Sequence, residues 1–148
     1  MHYEKLTKLE VAEVQLFHAV ELYLAGSHLV SVITLAGAAE EILGELVKRK
    51  SNVNALDEKI EKLLKMHDLI FKESANRKEF VKLRNKARNG FKHIGNSETM
   101  ELNLEDEAVK LLNRAIRNYK KLTPGRYPLF RDFEKERSRR YRIQAGKA

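Results

Sequence analysis

Apolar residues return every three or four positions along most of this chain, the spacing that places them on one face of an α-helix. The pattern predicts a first helix from Tyr3 to about Ala25 and a second from His28 to about Arg49. Three further helices are predicted over about 57–71, 77–92 and 103–122. Two Pro and seven Gly in 148 residues favour long helices over strands and turns. The sequence therefore predicts an all-α fold, a bundle of four to five helices.

Residues 1–122 hold these helices and are expected to form one domain, whereas residues 123–148 form a basic C-terminal tail of different composition. The tail begins with Thr123-Pro-Gly, which is expected to end the fifth helix. Its aromatic residues interleave with arginines, which suits stacking on unpaired bases beside phosphate contacts. The alternative is that Phe130 and Phe133 dock the tail onto the bundle, with the arginines beyond them solvated. The tail is expected to be either helical or disordered.

Composition limits the chemistry of the chain and its surroundings. The absence of Cys excludes disulfides, thiol nucleophiles and thiolate metal ligands. No uncharged apolar run is long enough to span a bilayer, and the first residues lack the apolar segment of a signal peptide. We therefore expect a cytoplasmic protein with no membrane segment. A net charge of +8 favours a polyanionic partner.

The centre of the second helix is apolar almost all round, which predicts a position in the middle of the bundle. Small residues at 36–39 allow another helix to approach closely. Glu40 and Glu41 follow at the edge of this run. Either one of them faces inward and pairs with Arg84 or Arg88, or both lie on the solvated side. An inward carboxylate is costly unless it is paired, so such a residue would have a specific role.

The stretch from Lys82 to Ile94 concentrates the polar chemistry of the chain. As a helix it has one apolar stripe, formed by Phe80, Leu83, Ala87, Phe91 and Ile94. Its remaining surface carries basic and amide side chains, namely Arg84, Asn85, Arg88, Asn89, Lys92 and His93. We interpret the stretch as a core-facing helix that displays a phosphate-binding edge.

Arg88 and His93 are the candidate catalytic pair. His93 can gain or lose a proton near neutral pH, and Arg88 offers a phosphate a planar fork of donors. Together they support metal-independent RNA cleavage, in which His93 takes the 2′-OH proton or protonates the leaving 5′-oxygen while Arg88 stabilises the transition state. The residues expected to bind or orient the substrate are Asn89, Asn85, Arg84 and Lys92. The five His are scattered singly and no metal-binding motif is present, so no metal site and no cofactor is expected.

The spacing of the pair raises a geometric difficulty. His93 stands five positions after Arg88, which places it roughly 140° further around an ideal helix. The helix therefore either loosens at Gly90 and swings His93 round, or two copies of the chain pair so that residues of both meet in one cleft. We favour a homodimer with a composite site, with some distortion at Gly90 as a further contribution.

The segment Arg88-Asn-Gly-Phe-Lys-His93 resembles the Arg-x4-His signature of the HEPN superfamily, in its form Arg-Asn-x3-His. The run Leu35-Ala-Gly-Ala-Ala-Glu-Glu-Ile-Leu43 is similar to the long second helix of small bacterial and archaeal members, and the resemblance covers about residues 3–122. It implies an up-and-down helical bundle, a homodimer that juxtaposes two motifs, and metal-independent endoribonuclease activity with Arg88 and His93 as the catalytic pair.

The resemblance also implies a role as a toxin or in defence against phage, often beside a nucleotidyltransferase-like antitoxin. We therefore expect RNA as the substrate and such an antitoxin as a further partner. The alternative is a non-catalytic helical adaptor that binds RNA or a partner protein through the same basic edge. A purely structural dimer module is a third interpretation.

Overall fold

The computed structural model describes residues 3–50, 52–71, 75–91, 93 and 98–146. Within these ranges every regular element is helical, so the predicted all-α class is confirmed. In chain order the helices are α1 (Lys8–Leu24), α2 (Leu29–Arg49), α3 (Ala55–Phe71), α4 (Arg77–Arg84), α5 (Lys86–Gly90), α6 (Leu104–Leu122) and α7 (Pro128–Ala145). These seven exceed the predicted five because the fourth predicted helix is divided and the tail forms one of its own.

Helix α2 lies in the centre of the core, packed along both α1 and α6. Its side chains Val32, Ala36, Ala39 and Leu43 are fully buried. They follow the spacing of three and four residues that the sequence shows, and the small ones allow the neighbouring helices to approach. The predicted central position of the second helix is thus observed.

The first helix begins later than its apolar pattern predicts. Thr7 and Glu10 form a reciprocal cap: the Thr7 side chain accepts from the Glu10 backbone N–H, and the Glu10 carboxylate accepts from the Thr7 N–H. This arrangement is a strong helix start, so Tyr3 and Leu6 stay outside α1 and are exposed. At the other end, Gly26 has a φ of 69°, a conformation that glycine adopts without steric cost.

Helix α3 is fixed mainly at its amino-terminal end. The Asn54 side chain accepts from the Asp57 N–H at 2.8 Å, and the buried Asn118 of α6 accepts from the Ala55 N–H at 2.8 Å. These two caps move the helix start from the predicted Asp57 to Ala55. Towards the other end α3 leaves the core, and Leu69 and Ile70 are exposed.

The predicted helix over 77–92 is divided at Asn85. Asn85 ends α4 with a φ of −103° and a ψ of 6°, and its side chain is buried against α6 rather than solvated. Leu83, which the apolar stripe placed in the core, is exposed instead. The chain therefore deviates at Asn85, and α5 runs on to Gly90 before it ends.

The tail forms α7 and packs on α1. Phe130 and Phe133 are buried in the same core as α1, α2 and α6, so these two rings dock the tail and are not available to stack on bases. Arg140 strengthens the contact, since it donates to the Tyr23 carbonyl at 2.7 Å and lies over the Tyr23 ring. None of the helices in the described part of the chain has the length and apolarity needed to span a membrane.

Candidate functional site

A buried ion pair joins α5 to α2. The Arg88 Nη1 lies 3.0 Å from the Glu40 Oε2, with the Arg88 side chain 13% exposed and the Glu40 side chain 3% exposed. Glu40 is therefore the inward-facing residue of the two adjacent acids, whereas Glu41 lies on the exposed side of α2. Because the pair is almost fully removed from water, each charge depends on the other for its stability.

Gly37 provides the space that Arg88 occupies. A Cβ at position 37 would come within 2.8 Å of the Arg88 Cγ, closer than side chains pack. Gly37 lies one turn before Glu40 on the same face of α2, so the arginine stem crosses the helix at the glycine and reaches the carboxylate. The small residues of α2 thus allow a side chain of α5 to approach the helix, and they also allow the neighbouring helices to pack closely.

Arg114 of α6 is a second cation on the same carboxylate. Its Nε lies 3.5 Å from the Glu40 Oε1, and its side chain is 10% exposed. The same guanidinium donates to the Arg84 carbonyl and to the Asn85 side-chain oxygen, both at 3.4 Å. Arg114 therefore connects α2 to the break between α4 and α5.

Cations outnumber the carboxylate at this centre. Burial lowers the pKa of the Arg114 guanidinium, Glu40 opposes that shift, and the nearby charges of Arg88 and Arg84 lower the pKa further. One buried carboxylate thus faces two buried guanidinium groups, with a third arginine close by. Such a centre attracts anions.

Asn89 and His93 extend the site towards solvent. The Asn89 side-chain oxygen accepts from the Arg88 Nε at 3.4 Å, and the Asn89 carbonyl accepts from the His93 backbone N–H at 3.1 Å. His93 itself is exposed just beyond the end of α5. Among the contacts of the described residues, none joins the side chains of Arg88 and His93, because Arg88 points towards α2 and His93 towards solvent. Lys92 lies outside the described residues.

A shallow basic groove of about 330 Å³ runs along α4 to the start of the site. Arg77, Lys78 and Lys82 line it on α4, and Asn85 and Asn89 line it at the division between α4 and α5. Arg77 is paired with Asp57 and Glu61 of α3, and the two lysines beside the amides suit the backbone of a nucleic acid. Asn85 and Asn89 thus line the same groove, although the Asn85 side chain also accepts a hydrogen bond from Arg114.

The described residues contain no cluster of three or more His, Asp or Glu side chains that could hold a metal ion. The polar centre is built from arginine, glutamate and asparagine. Its chemistry is that of binding and orienting an anion.

Sequence reasoning missed Arg114 and Gly37. Arg114 stands among the buried apolar positions of α6, and Asn118 follows it four residues later on the same face. Two polar residues inside an apolar stripe were the available signal for a buried polar centre. Gly37 gave no signal beyond its small size, because its role depends on a side chain from another helix.

Comparisons of the chain with protein-family models, with curated proteins and with solved structures found no significant match.

Proposed function

We propose that this chain is a metal-independent endoribonuclease of the HEPN type, an up-and-down bundle that acts as a homodimer in toxin or phage-defence function. The observation that carries the proposal is the fixed orientation of Arg88. Glu40 holds Nη1 at 3.0 Å and the Asn89 oxygen lies 3.4 Å from Nε, while Nη2 has no partner among the described residues. That amino group is the proposed donor to a phosphate oxygen, in a position that the ion pair with Glu40 determines in advance.

The proposed reaction is attack of a 2′-OH on the neighbouring phosphate. His93 takes the 2′-OH proton as the bond from the 2′-oxygen to phosphorus forms. The bond from phosphorus to the 5′-oxygen breaks, and a protonated His93 of the second protomer donates a proton to the leaving oxygen. Arg88 stabilises the charge that develops on the non-bridging oxygens. The products are a 2′,3′-cyclic phosphate and a 5′-hydroxyl.

A homodimer supplies the second imidazole and brings guanidinium and imidazole together, which one protomer does not. Exposed apolar side chains on α3 provide a surface for it: Met66, Leu69 and Ile70 share one face of the helix and are all exposed. The basic groove along α4 then holds the RNA backbone beside the paired motifs. A nucleotidyltransferase-like antitoxin remains part of the proposal as a partner that would block this surface.

The test is cleavage of a mixed RNA in the presence of EDTA, with the product ends identified by mass spectrometry. We expect 2′,3′-cyclic phosphate ends from the wild type and a loss of about 100-fold or more for His93→Ala. His18→Ala is the matched control, since it removes an exposed His from α1 and should leave the rate unchanged. Equal rates for the two variants would reject His93 as the acid or base.

The second candidate function is a non-catalytic adaptor that binds RNA through the α4 groove. The burial of Arg88 favours it, because a guanidinium engaged by Glu40 can serve folding alone. In that case the wild type binds RNA without cutting it, with or without EDTA. Lys82→Glu would then weaken binding, and His93→Ala would change nothing.

A further inference from the structure

A cavity of about 550 Å³ opens between α3, α4, α6 and α7, and its polar lining is cationic. Its six charged lining residues are Lys59, Arg84, Lys110, Arg114, Arg117 and Arg137. No carboxylate occurs among the described residues that line it, and Asn113 adds an amide. The volume lies in the range of small-ligand sites.

Part of this charge is balanced by acids outside the cavity. Lys110 pairs with Asp106 and Glu107, and Arg117 pairs with Glu58. These pairs hold the two cations in place at the rim, since each acid belongs to a helix that borders the cavity.

The remaining positive charge has little local compensation. Lys59 and Arg84 make no ion pair with any residue that the structure describes. Arg137, contributed by α7, donates to the Asn113 side-chain oxygen at 3.0 Å, a neutral acceptor. The docked tail therefore adds a cation to the cavity without adding an acid.

Arg114 is the most buried of the cations that line the cavity, and its hydrogen-bonding capacity is unfilled. Its side chain is nine-tenths buried, and its Nε has no hydrogen-bond partner although a Glu40 oxygen lies 3.5 Å away. Its two other contacts, at 3.4 Å, exceed the usual 2.7–3.2 Å range of N–H···O bonds. A buried guanidinium with five donors and only long contacts is an incomplete site, because unmet buried donors are costly.

We propose that this cavity binds a phosphate-bearing ligand, with the phosphate groups placed against Arg114 and Arg84 and between Lys59 and Arg137. Guanidinium forks match phosphate oxygens with two parallel hydrogen bonds, and several unbalanced cations favour a multiply charged anion. The phosphate comes either from a free nucleotide or polyphosphate or from the backbone of a bound RNA. Phosphate binding at this site does not require RNA cleavage, so the two proposals can be tested separately.

Calorimetric titration tests the proposal with three probes: inorganic pyrophosphate, ATP without metal, and a short single-stranded oligodeoxynucleotide. The variant pair Lys59→Glu with Arg84→Glu reverses two cavity charges that carry no ion pair, so folding is expected to persist. The control pair Lys65→Glu with Lys86→Glu makes the same change in net charge on α3 and α5 at exposed positions outside the cavity. Thermal melting followed by circular dichroism checks that both proteins fold.

We expect the cavity variant to lose about 10-fold or more in affinity for the probe that binds, and the control less than about 3-fold, because screening weakens distant charges. Binding of pyrophosphate and ATP alone identifies a free nucleotide or polyphosphate, whereas stronger binding of the oligonucleotide identifies backbone phosphates. The Asn113 side-chain amide resonances should shift on titration of the wild type. Absence of binding to the wild type by all three probes, or equal losses in the two variants, would overturn the proposal.

Discussion

Glu40 holds Arg88 across the contact between α2 and α5, with 3.0 Å between the Oε2 and Nη1 atoms. The carboxylate also faces Arg114 of α6, so three helices meet at one negative charge. A buried ion pair contributes little net stability compared with apolar packing, but removal of one partner leaves the other charge uncompensated. This centre therefore determines the direction of Arg88 more than it stabilises the fold.

Replacement of Glu40 is expected to be severely destabilising. Glu40→Gln keeps the size of the side chain but leaves Arg88 and Arg114 without a counter-charge in the interior. We expect the free energy of unfolding to fall by about 3–5 kcal/mol, measured by urea denaturation. Glu41→Gln, on the exposed side of α2, should cost less than about 1 kcal/mol. Equal effects of the two substitutions would show that burial of Glu40 carries no electrostatic consequence.

Gly37 and Arg88 lie so close together that the effect of Gly37→Ala on stability should change sign when Arg88 is also replaced. In the wild type, Gly37→Ala forces the Arg88 stem aside and should destabilise by about 1–3 kcal/mol. In an Arg88→Ala background the obstructing Cγ is absent, and the nearest Arg88 atom left is Cβ, at an ordinary 3.5 Å. There the same substitution should stabilise by about 0.5–1 kcal/mol, because Ala is the better helix former.

The cycle is read by urea denaturation of the four proteins. A coupling energy near zero would mean that the two positions do not share space. If Gly37→Ala destabilises the protein in both backgrounds, the destabilisation comes from a contact other than the one with Arg88.

The spacing of apolar residues was sufficient to predict that α1, α2 and α6 exist, because apolar residues recur every three or four positions along the buried face of each helix. The same spacing failed at Leu83 and Asn85. There the helix is interrupted, and the Asn85 side chain accepts a hydrogen bond from Arg114. That contact comes from a residue 29 positions away, and local spacing carries no information about it. The helix start at Thr7 was missed for a different reason, since a cap requires one polar side chain and interrupts no pattern.

Some residues of the candidate site were predictable from the sequence, but its geometry was not. Arg88, Asn89 and Glu40 were identified from the sequence, and the structure places them in contact. The Arg114 contribution was not predicted, because an arginine on a helix is ordinarily solvated and only its buried neighbours reveal otherwise. The tail allowed two interpretations of its aromatic residues, and the burial of Phe130 and Phe133 shows that these two rings pack on the bundle.

The stability of α7 should depend on pH through Glu136, which pairs with Arg139 and Arg140 of the same helix. Hydrogen bonds from Arg139 and Arg140 lower the pKa of the Glu136 carboxyl to about 2. A carboxyl with a folded-state pKa below its unfolded value contributes stability above the unfolded value, about 4.3, and loses it as the pH falls. Stability should therefore decline between about pH 5 and pH 2 in the wild type, and Glu136→Gln should remove that part of the decline.

Urea denaturation at a series of pH values provides the measurement. Glu134→Gln is the control, because it removes a carboxylate from α7 that makes no ion pair with the described residues. Its pH profile should match that of the wild type. A Glu136→Gln profile that also matches the wild type would assign the acid sensitivity of the protein to other carboxyls.

The exposed face of α3 should mediate the proposed homodimer. Leu69 and Ile70 are 82% and 63% exposed, and Met66 lies one turn earlier on the same face. Leu69→Glu with Ile70→Glu places two charges where apolar contact is expected, and it should shift sedimentation from dimer to monomer at micromolar concentration. Because neither side chain is buried in the protomer, the free energy of unfolding of the monomer should change by less than about 1 kcal/mol. The control Lys5→Glu with Lys8→Glu makes the same change of charge at exposed positions around the start of α1 and should leave the dimer intact. A dimer that survives the first pair of substitutions must use another surface, and a wild type that sediments as a monomer removes the composite site on which the proposed cleavage depends.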